Sequence, residues 1–212
     1  MGIQSKFSEI MLKEGNKIVN TIAENYIDIL EQQIDKIDEI YNLISNCKGR
    51  EGKGMHVYGK GRSGTPAVAF ALRAKHFGYN VWFGGDVVKE RMAPDDVVIL
   101  FSGSGETSET VDFAEQGKKA EANIITITSY KDSSLARMSN TIFFLPGGLE
   151  KNKGWEYVES QLRKSNSKLY GGGLFELYAF LFQETLLTGI GTYDNIERTI
   201  IAKVHERDEK SH

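Results

Sequence analysis

The chain has 212 residues, 40% of them hydrophobic and 26% charged, which suits one soluble domain with an appended helical segment. Lysine and arginine number 26 against 29 acidic residues, and the resulting formal charge of −3 argues against a nucleic-acid-binding surface and a polybasic membrane patch. The single cysteine, Cys47, excludes an internal disulfide, and no signal segment is visible at the N-terminus, so we expect a cytoplasmic protein.

The N-terminal part of the chain has a helical pattern. Apolar residues recur at helical spacing over residues 7–44, which predicts one long or two consecutive amphipathic helices, interrupted near Gly15 and near residues 31–33. These helices have more apolar positions than one sheet face needs. We therefore expect residues 1–50 to pack on the domain and on other subunits of a closed homo-oligomer.

From residue 55 onward, short apolar runs alternate with helical patterns. Strands are predicted at residues 55–58, 80–83, 96–101, 123–128 and 141–145, and helices at 63–77, 107–120 and 133–138. Near-continuous apolar strands are typical of a parallel sheet covered by helices on both faces, so the predicted fold class is α/β. A long polar stretch at 146–171 precedes an apolar helix from Gly173, which we interpret as buried rather than membrane-spanning. The main domain would span residues 51–200, and residues 201–212 would form a polar tail.

Two glycine-rich loops follow predicted strands. In an open α/β sheet, ligands bind at the carboxyl ends of the strands, where the strand order reverses. The first loop, G-K-G-R-S-G at residues 59–64, matches the dinucleotide pattern GxGxxG, and Asp86 lies where a ribose-binding acid would follow, so a dinucleotide fold is one alternative. Arg62 in this loop could pair either with a phosphate or with a neighbouring acid.

The second loop predicts a phosphate site. It leads directly into a helix and consists of Ser102, Gly103, Ser104, Gly105, Glu106 and Thr107. Backbone N–H groups, small side chains and the positive end of the helix dipole together make a cradle for an anion, and the hydroxyls add further donors. A simple helix cap would account for one hydroxyl but not for the cluster.

Five segments then indicate a family. GKGRSG (59–64), FALRAKHFG (70–78), FSGSGET (101–107), ITITSYKDSSLA (125–136) and GGLFE (172–176) occur in the order found in sugar isomerase (SIS) domains. Within these domains the chain most resembles the 6-phospho-3-hexuloisomerases, over essentially its whole length. The resemblance implies a flavodoxin-like three-layer sandwich with a five-stranded parallel sheet, a homotetramer, and interconversion of D-arabino-3-hexulose 6-phosphate and fructose 6-phosphate without metal or organic cofactor.

The same matching motifs imply the roles of individual residues. Glu176 would be the catalytic base, and His76 matches a helix-end histidine near the sugar. The implied substrate-binding residues are Gly61, Ser63, Ser102, Gly103, Ser104, Gly105, Glu106 and Thr107. Each catalytic assignment has a structural alternative: Glu176 could be a first-turn acid that stabilises its helix, and His76 could interact with the last carbonyls of its own helix.

The sequence departs from the hexuloisomerase pattern in one place. Hexuloisomerases usually carry an acid–histidine pair and a proline before the last helix, whereas residues 163–173 read RKSNSKLYGGG. Two functions from different classes therefore stay open: an isomerase, of this or another phosphosugar, and a phosphosugar-binding sensor without turnover. The N-terminal helices lack the basic charge and helix-turn-helix pattern of a DNA-binding regulator, and no residue cluster has metal-ligand spacing.

Overall fold

A computed structural model describes residues 3–49, 51–164, 173–197 and 199 of the chain. The chain divides after Ile34 into two compact units, so the predicted helical segment of residues 1–50 spans this division. The first unit consists of helix α1 (Ile3–Glu31), followed by a turn at residues 32 and 33 that confirms the second predicted interruption. The interruption predicted near Gly15 is wrong, because a single glycine costs a helix only about 1 kcal/mol and does not end it.

The second unit is built on a five-stranded sheet in which all neighbouring strands are parallel. The strands are β1 (Met55–Gly59), β2 (Val81–Phe83), β3 (Val97–Phe101), β4 (Asn123–Thr128) and β5 (Thr141–Phe144). Their order, β2-β1-β3-β4-β5, is that of flavodoxin-like sheets rather than that of dinucleotide-binding sheets. The predicted α/β fold class is confirmed, and the strand order does not fit the dinucleotide alternative.

Helices cover both faces of this sheet. They are α2 (Ile34–Ser45), α3 (Gly64–His76), α4 (Ser108–Lys119), α5 (Ser134–Met138), α6 (Trp155–Lys164) and α7 (Gly173–Tyr193), with short 3-10 turns at Gly61–Ser63 and Lys151–Lys153. Among the described residues, none of the helices is both long and apolar enough to cross a membrane. The polar loop predicted at 146–171 is wrong where α6 lies, and residues 165–172 and 201–212 of the predicted loop and tail lie outside the described residues.

Successive side chains of β3 point alternately to the two faces of the sheet. Phe101 meets Phe70 of α3, with ring centroids 6.1 Å apart, while Val98 and Leu100 pack with Phe113 of α4. Because α3 leads from β1 to β2 and the chain then returns to place β3 on the other side of β1, the strand order reverses between β1 and β3. The carboxyl ends of these two strands are where a ligand of such a sheet binds.

Candidate active site

The loop after β1 is a tight turn that glycines make possible. A Cβ atom on Gly59 would lie 2.6 Å from the carbonyl oxygen of Ser63, and one on Gly64 would lie 2.7 Å from the carbonyl oxygen of Gly59. Gly61 has φ +59°, a left-handed conformation that glycine adopts without strain. Ser63 precedes α3 but its side chain makes no capping hydrogen bond. The half-buried Ser63 hydroxyl therefore does not cap the helix that it precedes.

The loop after β3 presents buried hydroxyls with unused donors. Ser102 and Ser104 are 2% and 7% exposed. The hydroxyl oxygen of Ser102 accepts the Gly105 N–H, and that of Ser104 accepts the Glu106 N–H, each at 3.2 Å. Neither hydroxyl donates to an acceptor within the described ranges, so both O–H groups are available to a ligand.

Backbone donors lie beside these hydroxyls at the start of α4. Within the part of the chain that the structure describes, the N–H groups of Gly103, Ser104 and Thr107 have no hydrogen-bond acceptor. Thr107 occupies the position before α4 with an extended backbone, and its side chain makes no capping hydrogen bond. Thr107 therefore does not cap α4 with its side chain. Unpaired N–H groups, hydroxyl donors and the positive helix end together suit a phosphate group.

Close packing fixes the shape of this loop. Gly105 has φ +66°, and a Cβ atom on it would lie 2.1 Å from the Ser133 hydroxyl oxygen. The Glu106 carboxylate accepts hydrogen bonds from the Ser134 N–H at 2.8 Å and from the Ser134 hydroxyl at 2.6 Å. The side chain of Glu106 thus ties the loop to the start of α5, so its carboxylate is held by Ser134 rather than directed at the anion cradle.

The loops after β4 and β5 support the same region. The Ser129 N–H donates to the Gly103 carbonyl at 3.1 Å, and the Ser129 hydroxyl donates to the Leu145 carbonyl at 2.5 Å while accepting the Gly148 N–H at 2.8 Å. A Cβ atom on Gly148 would lie 2.2 Å from the Gly103 carbonyl oxygen. Sequence analysis assigned no role to Ser129 or Gly148, because a serine and a glycine in separate loops acquire this role only when the fold brings the loops together.

Glu176 lies in the first turn of α7, next to these loops. Its neighbour Phe175 would be 3.0 Å from a Cβ atom placed on Gly103, which puts the start of α7 against the loop after β3. The Glu176 side chain is 15% exposed, and its carboxylate oxygen is 2.5 Å from the Arg62 guanidinium. Burial raises the pKa of Glu176 above its usual value, and the charge and hydrogen bond of Arg62 partly offset that rise. A half-buried acid with a raised pKa beside an anion cradle can act as a general base.

The sequence over residues 50–162, more than half of the chain, matches the SIS domain family. The chain belongs to this family. A 3-hexulose-6-phosphate isomerase from Bacillus subtilis is 30% identical to it over 81% of this chain and 84% of its own. A crystal structure of a hypothetical protein from Methanococcus jannaschii, which infers a function of 3-hexulose-6-phosphate isomerase, has a TM-score of 0.69 at 26% identity and covers 86% of this chain and 94% of its own.

Relatives of this SIS protein also include a regulator. An uncharacterized HTH-type transcriptional regulator from Clostridium perfringens is 27% identical over 57% of this chain and 45% of its own. Together with the isomerase relatives, the family match shows that the chain is a phosphosugar isomerase-like SIS protein.

The structure does not bring both predicted catalytic residues of this SIS protein together within one chain. His76 is the last residue of α3, whose first residue, Gly64, adjoins the loop after β1. At 1.5 Å per residue, the two ends of this helix are about 18 Å apart. His76 therefore lies at the opposite edge of the sheet from Glu176 and the hydroxyl loop.

Two further predictions concern the missing acid–histidine pair and the absence of a metal site. The residues that replace the acid–histidine pair fall largely on residues 165–172, which lie outside the described residues. Among the residues that are described, no group of three or more histidine, cysteine, aspartate or glutamate side chains could hold a metal ion.

Proposed function

We propose that this protein is a cytoplasmic phosphosugar isomerase that interconverts D-arabino-3-hexulose 6-phosphate and fructose 6-phosphate through a cis-enediol. The observation that carries the proposal is the half-buried Glu176 carboxylate at the mouth of a loop with unused hydroxyl and N–H donors. A base and an anion cradle at adjoining strand ends are the two parts that isomerisation of a phosphorylated sugar needs.

The reaction assigns one task to each part. Gly61, Ser63 and the loop of residues 102–107 hold the phosphate, and this fixes the sugar relative to α7. Glu176 takes the proton from C2 of the 3-hexulose, the electron pair of that C–H bond forms the C2=C3 double bond, and the π pair of the C3 carbonyl moves to O3, which takes up a proton from solvent to complete the enediol. The same carboxyl group then returns a proton to C3 while the C2 hydroxyl gives up its proton to solvent and the carbonyl forms at C2, so one carboxylate serves both transfers at carbon.

The environment of Glu176 suits a base. Because burial raises the pKa of Glu176, the carboxylate is a stronger proton acceptor than an exposed one, and the charge and hydrogen bond of Arg62 favour its ionised form and so partly offset that rise. Its position in the first turn of α7 also favours the ionised form.

Replacing Glu176 with glutamine tests the proposal. Glu176→Gln keeps the size of the side chain but removes the proton acceptor, so turnover of hexulose phosphate should fall by roughly two to four orders of magnitude. Binding of fructose 6-phosphate, measured by calorimetry, should stay within a few-fold. Glu184→Gln is the matched control, because Glu184 lies on the same helix and pairs with Arg73, away from the loops. A Glu176→Gln protein as active as the wild type would refute the role of Glu176.

A phosphosugar sensor is the second candidate function. The regulator relative and the histidine-free residues 163–173 favour it. An isomerase moves the C2 proton of its substrate through Glu176, where it can exchange with solvent, whereas a sensor binds the sugar without turnover or exchange. A wild-type protein that binds phosphosugars but neither interconverts them nor exchanges this proton would support the sensor. Turnover screened over hexulose, arabinose and heptulose phosphates would identify the substrate of an isomerase.

We also propose that the protein is a homotetramer with two-fold interfaces. Large apolar side chains of α1 are exposed: Phe7, Ile10, Met11, Leu12, Val19 and Ile27. An apolar stripe of this length on an exposed helix is typical of a subunit contact. His76, which is far from Glu176 in its own chain, would then lie near the site of another copy.

A further inference from the structure

Arg62 occupies a position from which it can serve two anions. It is the central residue of the Gly61–Ser63 turn, next to the Ser63 that is proposed to bind phosphate. Its guanidinium contacts the Glu176 carboxylate at 2.5 Å, yet its side chain is 52% exposed and so retains room to move. A guanidinium matches carboxylate and phosphate oxygens equally well in geometry.

Other charged side chains in the loops after β1, β3 and β5 and on helices α3 and α7 have partners other than Glu176. These pairs are Lys60 with Glu109 at 3.3 Å, Lys153 with Glu150 at 2.8 Å, Arg73 with Glu184, and the Glu106 carboxylate with Ser134. Within the described residues, the ion-pair partner of Glu176 is thus Arg62, which lies in the turn that is proposed to bind the phosphate. An incoming phosphate, with about 1.5 to 2 negative charges near neutral pH, competes with a single carboxylate charge for that cation.

We propose that Arg62 is a substrate-responsive positioning residue, which pairs with Glu176 in the empty site and turns to the phosphorylated sugar when it binds. This inference rests on the proposed role of Glu176 as the base. In the empty site the ion pair favours the ionised carboxylate and holds it in place. Once Arg62 engages the substrate, Glu176 is left free to reach the carbon-bound proton.

Movement of Arg62 from Glu176 to the substrate changes the pKa of Glu176 in one direction. Burial raises the pKa of Glu176 and Arg62 lowers it, so loss of the Arg62 contact raises the pKa further. Glu176 therefore becomes a stronger base when substrate is present than when the site is empty. Fructose, which has no phosphate to attract Arg62, produces no such change.

The pH dependence of turnover tests this device. In the wild type, the acid limb of kcat, which reports the occupied site, should lie at higher pH than that of kcat/KM, which reports the empty site. Arg62→Met keeps the apolar stem and removes the charge, so its kcat/KM limb should move to higher pH and its KM should rise roughly tenfold. Lys60→Met, on the same loop, is the control and should leave the limb in place. An unmoved limb in Arg62→Met would overturn the proposal even if Glu176→Gln is inactive.

Proton uptake on binding gives a second readout that needs no turnover. Fructose 6-phosphate is titrated calorimetrically into each protein in buffers of different ionisation enthalpy, near the acid limb. Glu176→Gln measures the protons that the phosphate itself takes up or releases on binding. The wild type should take up a larger fraction of a proton than this variant, whereas Arg62→Met should take up no more than Glu176→Gln does. Equal uptake by wild type and Glu176→Gln would overturn the proposal. If the wild type takes up more protons than Glu176→Gln but has no isomerase activity, the proposal for Arg62 stands and the proposed isomerase function is rejected.

Discussion

Replacing Ser104 with alanine tests the phosphate cradle at a buried hydroxyl. The substitution removes an oxygen that accepts the Glu106 N–H at 3.2 Å and an O–H donor that has no acceptor within the described residues. Loss of a hydrogen bond to a charged phosphate is worth about 1.5–3 kcal/mol, which corresponds to a roughly 10- to 150-fold weaker Kd. The Glu106 N–H also loses its acceptor, which should lower the free energy of unfolding by about 0.5–1.5 kcal/mol.

The two costs can be separated by assay. Calorimetric titration with fructose 6-phosphate reports the binding loss, and urea denaturation reports the loss of stability. Ser108→Ala is the matched control, because the Ser108 hydroxyl is exposed and hydrogen-bonds to Glu109 at 3.1 Å in the first turn of α4. We expect Ser108→Ala to bind fructose 6-phosphate as the wild type does.

The chemistry of the ligand provides the decisive comparison. Every phosphorylated sugar should lose affinity to a similar degree in Ser104→Ala, because the lost contact is to the phosphate. Unphosphorylated fructose should be unaffected. If Ser102→Ala and Ser104→Ala both bind fructose 6-phosphate as tightly as the wild type, the loop after β3 is not a phosphate site.

Two further predictions concern the fold and the assembly. Asp96 is buried and accepts hydrogen bonds from the Gly54 N–H at 2.7 Å and the Ala93 N–H at 2.8 Å, besides its contact with His56; Asp96→Ala should therefore cost about 3 kcal/mol or more in urea denaturation while the folded protein binds phosphosugar normally. Sedimentation of the wild type at micromolar concentration should give the mass of four chains of 23.7 kDa, and the mass of one chain would reject the tetramer.

The sheet could be predicted because its strands carry an unambiguous pattern. All five residues of β3 are buried, so the strand is a continuous apolar run with a turn at each end. Helix α6 was missed for the opposite reason: Val158 is its one buried residue within the described part of the chain, and the remaining polar residues read as a loop. Trp155, Val158 and Leu162 do recur at helical spacing, but they are few among polar residues in a ten-residue segment that follows a glycine-containing polar stretch, so the pattern predicts a loop.

The candidate site was predictable in part. Each glycine-rich loop is a local feature, and the rule for open sheets places both loops at the same edge. The ion pair of Arg62 with Glu176 is not local, because these residues are far apart in the sequence and each had an alternative partner or role. Gly148 likewise reads as an ordinary turn residue until the fold sets it against the Gly103 carbonyl.

The position of His76 links catalysis to assembly. Helix α3 places Gly64 beside the site and His76 about 18 Å away, so no rotation of the His76 side chain can bring it to Glu176 of the same chain. A catalytic His76 therefore requires a second copy that inserts this histidine into the site. Conversely, a protein that turns over phosphosugar as a single chain would have to do so with Glu176 and the loops alone, and His76 would be left with the last carbonyls of its own helix. The proposed tetramer and the proposed role of His76 thus depend on the same contact between chains.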